Sequence, residues 1–278
     1  MPYSFSCKYA TKKKIKNTLV VPDLPEYAGL SKMGNFFYRL LKKFDVKYFY
    51  KSCKKIDSFV FFADNMKEKF DNDIRFITVE CMVNPDMYTN QNEHESAIKH
   101  IVYTGGLEEE YGIKLLLDAF ILINRDDYCL DICGSGNAAN LVNDYANRYK
   151  GINFYGLVSS TEAFNLQMNA AVLVNPRPNN GIFTRFSFPS KNAEYLMTGI
   201  PTICFKLAGI PDEYDSLLYY FRSSDPKEMS EDIVKVCNIS DVCRKEIFRK
   251  NREYMINYKN IKYQTKRIID QLVGIDAR

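Results

Sequence analysis

Residues 101–136, "IVYTGGLEEEYGIKLLLDAFILINRDDYCLDICGSG", decide the fold. A short apolar run ends in paired glycines, and "GIKLLLDAFILIN" then shows helical periodicity. A second apolar run, "YCLDICGSG", ends in Gly134-Ser135-Gly136. A strand, a helix of about a dozen residues and a second strand read as a βαβ unit, since parallel neighbours need a crossover of that length. The alternation continues downstream: "GINFYG" as strand, "STEAFNLQMNA" as helix and "AVLVNPRP" as strand. A long loop and helix cover 184–199, "PTICFKLAG" is the fifth strand and "LLYYF" a candidate sixth. Helices from about 226 to 272 close the chain. The expected fold class is α/β, with a doubly wound parallel, Rossmann-like sheet over residues 98–255.

The first hundred residues repeat this grammar more thinly. "NTLVVPD", "DSFVFFAD" and "RFITVEC" read as strands, with a long basic helix after the first and the turn "NMKEKF" after the second. Three strands form a small sheet for a domain that must bury two faces. Residues 1–97 are therefore expected to be a partial N-terminal α/β domain, ending in the polar linker "NPDMYTNQNEHESA". Residues 256–278 are expected to be a C-terminal helix that packs back on it.

Composition narrows the chemistry. No apolar run approaches the roughly 20 residues of a bilayer span, and no signal-peptide pattern opens the chain, so a cytoplasmic location is expected. The eight cysteines include no CxxC pair, and the two histidines, His94 and His100, stand near no cysteine pair in sequence. Reduced, buried thiols are expected and no metal site. The net charge is only +4, but residues 8–55 carry thirteen Lys or Arg against three acids. "LSKMGNFFYRLLKKFDVKYFYKSCKK" mixes cations with Phe, Tyr and Leu at helical spacing, which suits either a helix lying on anionic lipid or a solvated basic helix. No nucleic-acid motif accompanies the charge, so no nucleic-acid partner is expected.

Ligands of an open α/β sheet bind beyond the carboxyl ends of its strands. The longest loop there, "NPRPNNGIFTRFSFPSK", carries Arg177, Arg185 and Lys191 and runs into a helix that begins near Pro189 and Ser190. Free N–H groups and the helix dipole attract anions at such a start, and nearby cations suit a diphosphate. The plain alternatives are a capped helix with a Lys191–Glu194 surface pair, a tight turn at Gly134-Ser135-Gly136, and a capping box at Ser159–Glu162.

The order "IVYTGG", "LDICGSG", "INFYGLVS", "LVNPRP", "TRFSFPSKNAEYLMTGIPTI", "GIPDEY" resembles the donor-binding domain of GT-B glycosyltransferases of the family-four, group 1 type, over about residues 98–222. "VVPDLPEY" and "DSFVFFADNMKEKF" are similar to the later part of that family's N-terminal domain. The resemblance implies a retaining transferase. It would move a sugar from a nucleotide diphosphate sugar to a glycan or lipid-linked acceptor, in bacterial surface polysaccharide synthesis, without a cofactor or metal. By position, Glu194 matches the second glutamate of the family's E-x7-E motif, which holds the donor ribose. Phe188, Pro189 and Ser190 fall beside the diphosphate, and Val158 falls where the base is read. Phe186 stands where the first glutamate would be. Gly106 and Tyr111 stand where many members carry Arg and Lys, so Arg177, Arg185 and Lys191 are the candidate replacements. No catalytic residue is assigned. The chain is expected to begin partway through the acceptor domain and to transfer sugar poorly by itself. A non-catalytic remnant, or one part of a split enzyme, is the alternative. A peripheral contact with the inner face of the membrane through residues 8–55 completes the expectations.

Overall fold

In a computed structural model of the chain, the described residues are 6, 9–10, 12–27, 36–88 and 97–273. They form two parallel sheets. The smaller comprises β1 (Thr18–Val21), β2 (Ser58–Phe61) and β3 (Phe76–Thr78) in the order β1-β2-β3. The basic helix α1 (Phe36–Cys53) links β1 to β2, and a 3-10 turn, Asp64–Lys69, follows β2. Most of the apolar runs predicted as strands are strands because a parallel sheet covered on both faces buries near-continuous hydrophobic runs.

The larger sheet holds β4 (Lys99–Thr104), β5 (Tyr128–Cys133), β6 (Ile152–Phe154), β7 (Val172–Asn175), β8 (Thr202–Cys204) and β9 (Tyr219–Tyr220). All pairings are parallel and the order is β6-β5-β4-β7-β8-β9. The order reverses between β4 and β7, which places the topological switch point at their carboxyl ends. Between the strands run α2 (Ile113–Ile123), α3 (Ala139–Arg148), α4 (Ser160–Met168) and α5 (Ser190–Thr198). Ser159 caps α4 in a full capping box with Glu162, as the spacing predicts. Pro189 occupies the N-cap of α5, with Ser190 its first helical residue.

The chain ends in α6 (Pro226–Cys237), α7 (Asp241–Tyr258) and α8 (Ile261–Ile268), capped by Asp225, Ser240 and Asn260. Helix α7 runs unbroken across positions 255 and 256, and the chain turns only at Lys259-Asn260. At the end of α8 and just beyond it, Ile268 and Leu272 pack on Val60, Ile77 and Val79 of the small sheet. The Lys259 ammonium, itself buried, is bound by Glu80 from the N-terminal half and by Glu213 at 2.7 Å. The linker's Pro85–Tyr88 forms a 3-10 turn, and its residues 89–96 lie outside the described residues.

Candidate donor-binding site

The carboxyl ends of β4 and β7 release two loops, Gly105-Gly106 and Asn175-Pro176-Arg177, into the switch-point crevice. Gly105 has φ +134°, and a Cβ there would lie 1.6 Å from the Lys191 ammonium. The positive φ calls for glycine at 105, and a Cβ there would push the Lys191 ammonium from its place. Gly134, at φ +145°, brings the loop after β5 onto the Gly105 carbonyl, where a Cβ would come within 1.7 Å. The loops thus pack backbone on backbone, and Lys191 reaches across from the first turn of α5 to fill the space left at Gly105.

Lys191 is half-buried, and its ammonium sits 5.2 Å over the Tyr103 ring. Burial lowers its pKa from the ordinary lysine value, partly countered by the charge of Glu194. No carboxylate lies within ion-pair distance of it among the described residues. The surface Lys191–Glu194 pair, the plain alternative in the sequence, is therefore not formed. Arg177 is likewise half-buried, stacked between Tyr111 (4.9 Å from Phe183 and 5.2 Å from Tyr111, guanidinium to ring centroids) and Phe183. Its buried Nε makes no hydrogen bond. Both cations are desolvated near the start of a helix, and among the described residues neither has a carboxylate within ion-pair distance, although the charge of Glu194 acts on Lys191 and those of Glu110 and Asp23 act on Arg177.

Glu194 lies one turn further along α5. Its Oε1 accepts from Gln167 Nε2 at 2.6 Å, and the same nitrogen donates to Thr104 Oγ1 at 2.8 Å. The other carboxylate oxygen, Oε2, takes no hydrogen bond from the described residues. A carboxylate offers acceptors only, so the open oxygen suits a hydroxyl donor. Burial pushes the nearby Cys133 thiol up to about 11, with the Glu194 charge adding to it, so the thiol remains neutral.

The remaining sequence candidates fall around this centre. Gly106 turns its carbonyl to the Tyr103 hydroxyl at 2.5 Å. Ser190 is exposed at the first turn of α5, and Val158 is half-buried in the loop after β6, two strands away from β4. Arg185 is not gathered with Lys191. It is exposed and pairs at 2.6 Å with Glu68 of the N-terminal half, while its carbonyl accepts from Asn65. Phe186 is buried in the core of the small sheet, stacked on Tyr27 at 5.4 Å with the Lys69 ammonium 5.1 Å from its ring.

Sequence spacing missed three features. Gln167 and Thr104 reach Glu194 only through the fold. The third is His100, which lies 3.0 Å from Cys129 and 2.6 Å from Asp131. Asp131 also accepts from Asn153 and Tyr155 at its other oxygen. Strand register pairs His100 with Cys129, a neighbour its position in the sequence does not show. At 2.6 Å the His100 and Asp131 atoms are in hydrogen-bond contact, closer than the roughly 3.3 Å between two ligands on tetrahedral bonds of about 2.0 Å.

Two facing parallel sheets, with a Rossmann-like switch point in the larger, define a GT-B-like α/β protein. Residues 98–238 match the family model of the glycosyl transferases group 1, and the chain belongs to that family. No curated protein sequence matches the chain. Among solved structures it is similar to an S. aureus TarM variant in complex with fondaparinux, alpha-GlcNAc-glycerol and UDP. That match has 17% identity and TM-score 0.68, over 98% of this chain and 54% of TarM. Sucrose-phosphate synthase from Thermosynechococcus elongatus gives 14% identity and TM-score 0.69, over 96% of this chain and 71% of that one. Anabaena HepE, in complex with UDP and glucose, gives 10% and 0.66, over 98% and 75%. The chain thus spans about half the length of TarM. No helix among the described residues is long and apolar enough to cross a membrane.

Proposed function

We propose that the chain binds a nucleotide diphosphate sugar in the crevice between β4 and β7 and transfers the sugar to a glycan or lipid-linked acceptor. One observation carries the reading. The Lys191 ammonium and Arg177 guanidinium are held half-buried at the mouth of a parallel sheet with no carboxylate in ion-pair distance among the described residues, beside a carboxylate with one open oxygen. The cations take the diphosphate, and the N–H groups of the first turn of α5 add further donors. Glu194 takes the ribose diol, and Val158 lies where the base would stack. As the glycosidic bond to the donor breaks, negative charge develops on the leaving diphosphate, and Lys191 and Arg177 stabilise it without a metal. The sugar is a hexose transferred with retention, in the synthesis of a bacterial surface polysaccharide. HepE and the TarM variant were each solved with UDP, which makes a uridine donor the first to test.

Phe186 stands where the family's first glutamate would be, and no residue is assigned to proton transfer. A donor-binding remnant, or one part of a split transferase, is the second reading, and Phe186 favours it. Titrating the full chain with UDP, GDP and TDP sugars and following donor hydrolysis separates these. Micromolar binding with turnover supports a transferase, binding without turnover supports the second reading, and no binding of any donor refutes both.

We also propose a peripheral contact with an anionic membrane surface. Helix α1 exposes Leu40, Leu41, Phe44 and Tyr48 among Lys42, Lys43, Lys47 and Lys51, the mixture that binds an anionic lipid surface. Co-sedimentation with vesicles containing anionic lipid, lost for Leu41→Glu combined with Phe44→Glu, is the expected outcome.

A further inference from the structure

We propose that Gln167 is a positioning residue for donor recognition: its amide locks the Glu194 carboxylate so that the open oxygen is presented to the ribose diol. The proposal rests on the reading of Glu194 as the ribose acceptor. Gln167 is fully buried at the end of α4, on the face of the sheet that α5 also covers. Its Nε2 donates to Glu194 Oε1 at 2.6 Å and to Thr104 Oγ1 at 2.8 Å. Glu194 can only accept, so the nitrogen and not the oxygen of the amide must face it.

Thr104 is itself fixed. Its N–H donates to the Tyr195 hydroxyl at 2.9 Å, and that hydroxyl donates to the Thr104 carbonyl at 3.2 Å. Tyr195 is fully buried next to Glu194 on α5. A rigid polar chain therefore runs Tyr195–Thr104–Gln167–Glu194, from the end of β4 through α4 to the site. The amide oxygen of Gln167 is buried with no hydrogen-bond partner. Leaving such a group unpaired is unfavourable, and an apolar side chain of similar volume would avoid it. Packing alone gives no reason for glutamine here, whereas holding Glu194 does. One carboxylate oxygen is occupied by Gln167, and the second remains for the ligand.

The test uses the full chain and two probes, UDP and 2′,3′-dideoxy-UDP, by calorimetry, with thermal unfolding as the control for folding. Wild type is expected to prefer UDP. Gln167→Met, which conserves volume, is expected to weaken UDP binding about tenfold, the loss of one charge-assisted hydrogen bond's orientation, and to leave the dideoxy probe unchanged. Combined with Glu194→Ala, it is expected to add nothing further. Gln167→Glu gives a readout that a structural role would not move. Two carboxyls in contact share a proton on acidification, so the preference for UDP over the dideoxy probe returns as the pH falls. If wild type does not distinguish the probes, the ribose reading of Glu194 fails and this proposal with it. If wild type distinguishes them and Glu194→Ala abolishes the difference while Gln167→Met keeps it, the proposal alone is overturned. Equal weakening of both probes by Gln167→Met also overturns it.

Discussion

Replacing Lys191 by Met tests the site most sharply, because the binding and stability consequences have different signs. Met keeps the length of the stem that passes Tyr103 and removes only the charge. A unit charge about 4 Å from a phosphate oxygen, at an effective dielectric of about 20, interacts by about 4 kcal/mol. Part of this is offset by lost hydration of the ligand, and hydrogen bonds to charged groups retain about 2 kcal/mol. Lys191→Met should therefore weaken UDP binding about 30-fold. Stability should be unchanged or improved, because the ammonium is desolvated and no carboxylate within ion-pair distance compensates it. Gly105→Ala should reproduce the binding loss, since its Cβ would occupy the place of the ammonium. Burial lowers the Lys191 pKa, so binding by the wild type should decline with rising pH before an ordinary lysine would lose its proton. Isothermal titration and thermal melts read both quantities. UDP affinity within twofold of wild type, or a fall in melting temperature without a binding loss, would refute the assignment of Lys191 to the diphosphate.

Three further outcomes are expected. Arg185→Ala should leave UDP affinity within twofold and cost at most about 1 kcal/mol of stability, since its exposed pair with Glu68 is a surface ion pair; calorimetry and denaturant melts check this. Glu80→Ala should destabilise by about 1–3 kcal/mol, because the buried Lys259 ammonium keeps only the half-exposed Glu213 and the Tyr214 hydroxyl loses its acceptor, visible as a lower midpoint in urea. The third concerns His100, whose pKa is raised by its hydrogen bond to Asp131 against the opposing effect of burial. A raised histidine value gives stability that is full below about 6.5 and lost as pH rises through the folded value. Burial tends to raise the Asp131 pKa, but hydrogen bonds from His100, Asn153 and Tyr155 outweigh it and hold the value low, so its share is lost as pH falls through that value. The stability gap between wild type and His100→Gln should therefore be largest in mildly acidic solution and shrink at alkaline pH; a gap independent of pH would contradict this.

The strands were legible because burial on both faces leaves a nearly continuous apolar run, as in Tyr128–Cys133, where every position is buried and only Asp131 is charged. The start of α4 was legible because Ser159 and Glu162 sit at the capping-box spacing. The loops at the switch point were located by their glycines, and Gly105 also signals the ammonium packed against it. The direction of Arg185 was not legible: its 3-10 turn is oriented by Asn65 and Glu68, both more than a hundred residues away. Gln167 left no local mark either, since it meets Glu194 only after the chain passes through β7 and returns along α5. His100 and Cys129 are joined by strand register, which spacing within one segment does not encode.

Phe186 connects these two kinds of residue. Three strands offer two apolar faces and too few helices to cover them, the reason the N-terminal sheet looked thin in the sequence. The larger half of the chain covers both. On one face Phe59, Phe61, Val21 and Met66 pack with Phe186, which arrives on the loop after β7. On the other, Val60, Ile77 and Val79 pack with Leu272. Side chains alternate across β2, so neighbouring residues Phe59, Val60 and Phe61 are sealed by segments 86 positions apart, which we obtain as the separation of Phe186 and Leu272 (272 − 186). A carboxylate at 186 would give up the ring stacked on Tyr27 and bury a charge beside the Phe cluster, with the Lys69 ammonium near it. In this chain packing holds position 186.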